Sequence, residues 1–272
     1  MTPDWLEIRS GTAPLVIAFP HTGTEIPQEI EQGMASPWLA RKDADWWVEK
    51  LYAFAAEFGA SMVRTRISRS VIDVNRDPSG ASLYPGQATT GLCPTTTFDG
   101  EALYLPGKEP DEAEIARRRE TYFAPYHGAL RDELDRQVTA HGRVVLFDAH
   151  SIRSTIPRLF EGELPIFNIG TNHGATCAPS LQSEIERIAR ASGMPWVANG
   201  RFVGGWTTRH YGQPARKIHA VQMELACRGY LAEPVEASPE TWPAAFEPSR
   251  AAPLQAVLRQ ILLACVRLET FQ

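Results

Sequence analysis

Short apolar runs that alternate with helical segments constrain the fold of this chain more than any other feature. The run at 13–19 is closed by Pro20, and the mostly apolar runs at 144–147 and 219–225 are equally short, as expected of strands buried in a sheet. Residues at helical spacing predict helices at 43–58, 111–141, 179–191 and 253–268. Further strands are predicted at 60–67, 70–74, 166–169 and 196–198. This alternation indicates an α/β fold, with α/β/α layers around a mixed, largely parallel sheet, in a single domain over 1–272.

The stretch at 75–110 has a different character. Pro and Gly recur through it, which is typical of a long loop. Tyr84, Phe98 and Tyr104 are interleaved with them, and this much apolar surface argues against a disordered linker. Ordered loops of this length usually belong to a functional site, so we expect 75–110 to form a packed wall of an active site.

The composition argues against several classes of function. No run approaches ~18 uninterrupted apolar residues, so no membrane span is predicted. The net charge is −5 and the basic residues are dispersed, which argues against a nucleic-acid partner. Residues 1–10 lack the apolar stretch of a secretory signal, and the four cysteines are far apart. We therefore expect a cytoplasmic protein.

Residues suited to metal chemistry follow three of the predicted strands. His21 comes directly after the first run, Asp148 and His150 follow the middle one, and Glu224 lies in the last one. Ligands of open α/β sheets bind outside the carboxyl ends of the strands, so these side chains are expected to meet at one edge. A catalytic Zn²⁺ has three protein ligands of the His or carboxylate type. We therefore predict a site for Zn²⁺ or another divalent metal, with His21 and His150 as nitrogen ligands.

The third ligand is expected to be a carboxylate, and three residues compete for this role. Asp45 opens the predicted helix at 43–58 and would place an oxygen near the end of the first strand. Asp43 and Glu25 are the alternatives. An Asp in the first turn of a helix can equally serve to satisfy free backbone amides.

Two further carboxylates are predicted to act beside the metal. Asp148 lies two residues before His150, so both side chains point to the same face of a strand, and Asp148 can accept the second ring N–H of that ligand. Glu224 lies in an otherwise apolar strand, where a buried carboxylate is costly without a partner. Beside a metal, Glu224 would take a proton from the attacking water and return it to the leaving nitrogen.

Longer segments of the chain resemble a known family. The resemblance runs in order over about 14–231 through the blocks FPHTGTEIP, DADWWVEKLY, SRSVIDVNRDPSG, SLYPGQATTGLCP, FDAHSIRSTIPRLFEGELP, FNIGTNHGATC, NGRFVGGWTTRHYGQP and HAVQMELACRGYL. These blocks resemble the N-formylglutamate deformylase (N-formylglutamate amidohydrolase) family, which is similar in fold to zinc carboxypeptidases and aspartoacylase-type amidohydrolases. The resemblance implies hydrolysis of N-formyl-L-glutamate to formate and L-glutamate, a step of histidine degradation.

The same resemblance implies roles for individual residues. The metal ligands would be His21, Asp45 and His150, and the general base would be Glu224. In the carboxypeptidase relatives the carboxylate ligand comes three residues after the first His, where this chain has Thr24. Val203 stands where the family usually has Lys, and His173 stands where it usually has Asp.

A substrate with two carboxylates requires cations fixed at two distances from the metal. Only four of the 27 basic residues are lysine, and Arg is the side chain best suited to bidentate pairing with carboxylates. Six arginines of the matched blocks are candidates: Arg69, Arg76, Arg153, Arg158, Arg201 and Arg209. Arg76 and Arg209 are the preferred substrate contacts, followed by Arg153 and Arg201.

A nearby cation or imidazole is expected to stabilise the oxyanion of the reaction. His210 and His219 are the imidazole candidates. His219 and Glu224 are five residues apart and would point to opposite faces of a regular strand, so His210 is favoured.

Two other functions stay open on these residues. A deacylase of another N-acyl amino acid, or a peptidase acting on cell-wall fragments, would use the same metal site. A metal-free binding protein for acidic amino acids would use the same arginines. The oligomeric state is not predicted.

Overall fold

The computed structural model of this chain describes residues 2–81 and 89–268 and contains one mixed sheet. The seven strands are β1 (Leu6–Arg9), β2 (Leu15–Phe19), β3 (Ser61–Thr65), β4 (Val144–Ile152), β5 (Phe167–Gly170), β6 (Trp196–Ala198) and β7 (Ile218–Ala226), in the order β1-β3-β2-β4-β7-β5-β6. The β3/β2, β2/β4, β4/β7 and β5/β6 pairs are parallel, whereas β1/β3 and β5/β7 are antiparallel. The prediction of an α/β fold with a mixed, largely parallel sheet is confirmed.

Helices cover both faces of this sheet. The α-helices are α1 (Gln28–Glu31), α2 (Leu39–Lys42), α3 (Val48–Leu51), α4 (Glu112–Arg118), α5 (Ala124–His141), α6 (Pro179–Ala191), α7 (Trp206–Tyr211) and α8 (Pro248–Val266). Short 3-10 helices span Ala53–Phe58, Pro214–Arg216 and Cys227–Gly229. Val16 and Ala18 of β2 belong to the core beneath α5, whereas the alternate residues of that strand pack in the core beneath α6 and α8. The sheet is therefore the middle of three layers.

The predicted helix at 43–58 is confirmed only in part, because 48–51 and 53–58 are helical but 43–47 are not, and this departure matters for the site. Trp47 has a φ of 66°, in the left-handed region, and directly precedes α3. The chain turns over 43–47 instead of continuing a helix, and a 3-10 helix follows α3. Asp45 consequently lies in a turn, where its backbone N–H donates to the carbonyl of His21 over 2.9 Å.

Other departures are smaller. The predicted strand at 70–74 is wrong, because this segment forms turns. The predicted helix at 111–141 is interrupted by a π-helix at Arg119–Phe123, just before Pro125, which has no N–H to donate. The strand at 144–147 extends to Ile152, so Asp148 and His150 lie inside β4. Residues 82–88 of the predicted loop wall, including Tyr84, lie outside the described residues.

In the described ranges, no helix combines the length and apolar character needed to cross a bilayer.

A buried histidine on α5 predicts a pH dependence of stability. The imidazole of His127 on α5 is buried, and its Nε2 lies 2.7 Å from the carbonyl oxygen of Val74. Burial lowers the pKa of His127 from 6.5 to about 3. As the pH falls, His127 therefore becomes protonated at a higher pH in the unfolded chain than in the folded chain. The free energy of unfolding is expected to fall as the pH drops from about 6.5 towards about 3, by up to about 1.4 kcal/mol per pH unit.

The His127→Gln variant should show a weaker dependence over the same window. Denaturant unfolding of metal-free wild type and variant measures it, because acid also releases metal from His ligands. Equal slopes for the two proteins would contradict this assignment.

Candidate active site

Three neighbouring strands bring the predicted site residues together. β2, β4 and β7 lie side by side and parallel, so their carboxyl ends meet at one edge of the sheet. His21 lies two residues after the end of β2, and His150 in β4 is paired in register with Glu224 in β7. Side chains separated by more than a hundred positions therefore share one edge.

The side chains of His21, Asp45 and His150 form a compact buried group. Nδ1 of His21 lies 3.1 Å from Nδ1 of His150, which lies 3.1 Å from Oδ2 of Asp45. The third side, from Nδ1 of His21 to Oδ2 of Asp45, is 3.7 Å. Tetrahedral ligands at bonds of about 2.0–2.2 Å stand roughly 3.3–3.6 Å apart. The triangle therefore has the dimensions of a three-ligand metal site.

Carboxylates stand behind both imidazoles. Nε2 of His21 lies 2.7 Å from Oδ1 of Asp73, and Nε2 of His150 lies 3.0 Å from Oδ1 of Asp148. The carboxylate of Asp73 accepts the Nε2–H of His21 and leaves Nδ1 of that ring unprotonated for a metal, and Asp148 lies in the corresponding position behind His150. Two Nδ1 lone pairs and one carboxylate oxygen then face one another. Such a donor set repels itself unless a cation lies between its members, so the residues fit a divalent metal.

The charges around this group also favour a cation. Burial by itself would raise the pKa of Asp45 and of Asp73, but neighbouring positive groups outweigh it and hold both below the usual range. Burial would lower the pKa of His150, yet Asp148 and Asp45 raise it well above its usual value. The carboxylates around His150 therefore stabilise a positive charge at this position, whether a proton or a metal ion.

The two alternative carboxylates have other partners. Asp43 accepts the backbone N–H of Phe98 over 2.6 Å and an N–H of Arg153 over 3.2 Å, so it ties down the loop. Glu25 pairs with Arg66 over 2.8 Å and is about half exposed. Of the three candidates, Asp45 is the one that joins the two histidines.

Glu224 projects next to His150, and both residues line the same cavity as His21. Its side chain is buried, and Oε2 accepts a hydrogen bond from Nε2 of Gln222 over 3.2 Å. Burial raises the pKa of Glu224 to about 8, while His150 and Arg69 act in the opposite direction. A carboxyl group with a pKa near neutrality can both accept and return a proton.

The cavity is lined by three of the six candidate arginines. Arg76 donates from Nε to the carbonyl of Thr90 over 3.0 Å and from Nη2 to its hydroxyl over 3.1 Å. Arg201 lies on another part of the wall, where its Nε donates to the carbonyl of Leu159 over 2.9 Å. Arg69 stands beside Asp45, with Nη1 at 3.6 Å from Oδ1 of that carboxylate.

The other predicted substrate contacts lie elsewhere. Arg153 pairs with Asp99 over 2.7 Å in addition to Asp43, which makes it part of the ion pairs that anchor the loop. Arg209 donates from Nε to the carbonyl of Gly204 over 2.8 Å, and Arg158 contacts the carbonyl of Phe98. Among the described residues that line the cavity, none of these three is present.

The two candidate imidazoles for the oxyanion also lie outside the described lining of the cavity. His210 is exposed on α7 and stacks on Trp206, with ring centroids 4.2 Å apart. His219 accepts the backbone N–H of Ala178 over 3.1 Å.

Sequence reasoning missed three polar residues of the site. Asp73 supports His21, and Asn75 and Gln222 line the cavity. Asp73 stands in the apolar run Val71–Val74, so the argument applied to Glu224, that a buried carboxylate needs a partner, could have found it. No comparable signal singles out the two amides.

Comparisons with known proteins identify the family of this chain. A model of the N-formylglutamate amidohydrolase family matches residues 13–231. The N-formylglutamate deformylase of Pseudomonas putida is 45% identical over 260 residues, covering 95% of this chain and 94% of that protein. The corresponding protein of Pseudomonas aeruginosa strain PAO1 is 43% identical, with 94% of each chain covered.

Solved structures share the fold. The crystal structure of N-formylglutamate amidohydrolase from Ralstonia eutropha JMP134 superimposes with a TM-score of 0.78 at 23% identity, covering 97% of this chain and 98% of that one. A gene product of Agrobacterium tumefaciens gives a TM-score of 0.70 at 20% identity, with 95% of each chain covered. The family model and the Pseudomonas relatives span nearly the whole site described above, from His21 to Glu224. This chain therefore belongs to the N-formylglutamate amidohydrolase family.

Proposed function

We propose that this chain hydrolyses the formamide bond of N-formyl-L-glutamate to formate and L-glutamate, with Zn²⁺ or another divalent metal as cofactor. The observation that carries the proposal is the convergence of His21, Asp45 and His150 beside Glu224. It occurs in a chain 45% identical to an N-formylglutamate deformylase. We also propose that this reaction is a step of histidine degradation and that the fold is similar to that of zinc carboxypeptidases.

The metal would be held by Nδ1 of His21, Nδ1 of His150 and Oδ2 of Asp45, with Asp73 and Asp148 orienting the rings. A bound divalent cation supplies Lewis-acid chemistry, which polarises the formyl carbonyl and acidifies water. Asp45 is further fixed by the backbone N–H of Ser151, which donates to its Oδ2 over 3.2 Å.

Glu224 carries the proton in this proposal. Its carboxylate accepts a proton from the attacking water and delivers it to the nitrogen as the C–N bond breaks, so that L-glutamate leaves as an amine. The buried position of Glu224 limits proton exchange with bulk water. Its place beside His150 puts it within the cavity where the formamide would lie.

Three arginines would bind the negative charges. Arg76 and Arg201 line separate parts of the cavity and would each pair with one carboxylate of the substrate. Arg69, which stands beside Asp45, would stabilise the oxyanion. We assign this last role to Arg69 rather than to His210, because the His210 ring is exposed and stacked on Trp206.

Metal analysis combined with a substrate panel tests the proposal. The purified protein should contain about one divalent metal per chain, and chelation should abolish formate release. It should turn over N-formyl-L-glutamate faster than N-acetyl-L-glutamate or N-formyl-L-aspartate. Preference for either of the latter would identify a different deacylase. Binding of acidic amino acids without metal or turnover would identify a binding protein.

Removing the guanidinium group of Arg76 or of Arg201 should weaken substrate binding. A hydrogen bond to a charged group contributes about 1.5–3 kcal/mol, so Arg76→Met and Arg201→Met should each raise KM by roughly 10- to 150-fold. The effect on kcat should be smaller, because the arginines contact groups that do not react. Arg187→Met is the matched control, since Arg187 is an exposed residue of α6 that pairs with Glu184. An unchanged KM in both cavity variants would exclude them as carboxylate ligands.

A further inference from the structure

One buried glutamine next to the proposed general base has no role in the mechanism above. Gln222 lies two residues before Glu224 on β7, so both side chains project from the same face of the sheet. It is buried between Asp148 of β4 and Gly170 of β5, its partners in register. A buried amide needs partners for both its oxygen and its amino group.

The oxygen of Gln222 is held by a backbone group. The N–H of Gly205, directly before α7, donates to Oε1 of Gln222 over 2.6 Å. A backbone N–H can only donate, so this contact identifies the oxygen end of the amide. The amino group must face the other way, and there Nε2 donates to Oε2 of Glu224 over 3.2 Å.

The turn that holds this oxygen has no room to move. A Cβ atom at Gly205 would lie 2.6 Å from Nδ2 of Asn75, so the backbone is packed directly against that amide. Asn75 is fixed in turn, because its Oδ1 accepts the N–H of Thr207 over 2.8 Å. The orientation of Gln222 is therefore imposed by the start of α7.

We infer that Gln222 is a positioning residue that donates to Oε2 of Glu224 and holds this carboxylate in the orientation needed for proton transfer. This inference rests on the proposed function, since Gln222 acts only through Glu224. A carboxylate held in place before the reaction avoids reorientation during it, which lowers the barrier without changing how the substrate binds.

Two variants separate positioning from a purely structural role. Gln222→Met removes both hydrogen bonds. Gln222→Glu keeps an oxygen acceptor for Gly205 but replaces the donor with a second carboxyl group, which would compete with Glu224 for one proton. If Gln222 only supported the turn at Gly205, the Glu variant would behave like the wild type and the Met variant would be impaired.

We expect both variants to lose about 10- to 100-fold in kcat for N-formyl-L-glutamate, the Glu variant at least as much as the Met variant. KM should stay within about threefold of the wild type, and metal content should be unchanged. A Glu variant with wild-type kcat, or variants that lose metal or change only KM, would overturn the inference while leaving the proposed function intact. A wild type that releases no formate would overturn the proposed function, and this inference with it.

Discussion

Replacing Glu224 by Gln is expected to lower kcat for formate release by about 10²- to 10⁴-fold, the contribution typical of a positioned general base. The amide keeps the size of the side chain but cannot accept a proton from water. The metal should remain bound, because the proposed ligand atoms belong to His21, Asp45 and His150. Formate release and metal content, measured on the same preparation, check both parts of this prediction.

The matched control is Glu240→Gln, which neutralises a carboxylate on the exposed surface. It should retain wild-type turnover and metal content. A Glu224→Gln protein that keeps turnover within about threefold of the wild type would remove Glu224 as the base and transfer proton movement to another group. Loss of metal from this variant would instead indicate that Glu224 is a ligand.

Replacing His150 by Ala should abolish metal binding and, with it, turnover. Changing partners that stand behind metal ligands costs 10- to 100-fold in affinity, so removal of a ligand itself should exceed about 100-fold. Asp45 and Asp148 would also lose the imidazole that lies beside both of them. Metal content after dialysis measures this directly. Added metal should raise the Tm of the metal-free wild type but not that of the variant.

Two further variants calibrate that result. His141→Ala removes an exposed imidazole at the end of α5 and should bind metal like the wild type. Asp148→Asn leaves the three proposed ligand atoms in place, so its metal affinity should lie between those of His150→Ala and the wild type, because it weakens the contact that orients the His150 ring. Equal metal affinity in His150→Ala and the wild type would exclude the proposed ligand set.

The parts of the site that could be predicted from sequence are those that depend on local sequence patterns. A buried strand is short and apolar, so a His after one strand, an Asp-x-His run after another and a Glu inside a third were all visible as exceptions to that pattern. Parallel strands end at a common edge, which was enough to bring His21, His150 and Glu224 together. Arg76 could also be identified as a candidate, because it lies in the matched block SRSVIDVNRDPSG.

The sequence did not show which of several similar carboxylates and arginines would reach the site. Asp43, Asp45 and Glu25 are all carboxylates near the first strand, and helical periodicity gave no reason to expect the left-handed turn at Trp47 that carries Asp45 to the histidines. Arg153 and Arg201 both stood in matched blocks, yet Arg153 is tied to Asp43 and Asp99. Those carboxylates lie 110 and 54 positions away in the chain, a separation that local sequence does not encode.

By itself, the sequence determined the class of the fold, the strand ends at which chemistry could occur and the types of side chain there, because burial and backbone periodicity act over a few residues. The tertiary structure decided which carboxylate joins the two histidines, which arginines line the cavity and which amide lies beside Glu224. Those outcomes depend on turns and ion pairs between distant segments, whose geometry exists only once the layers have packed.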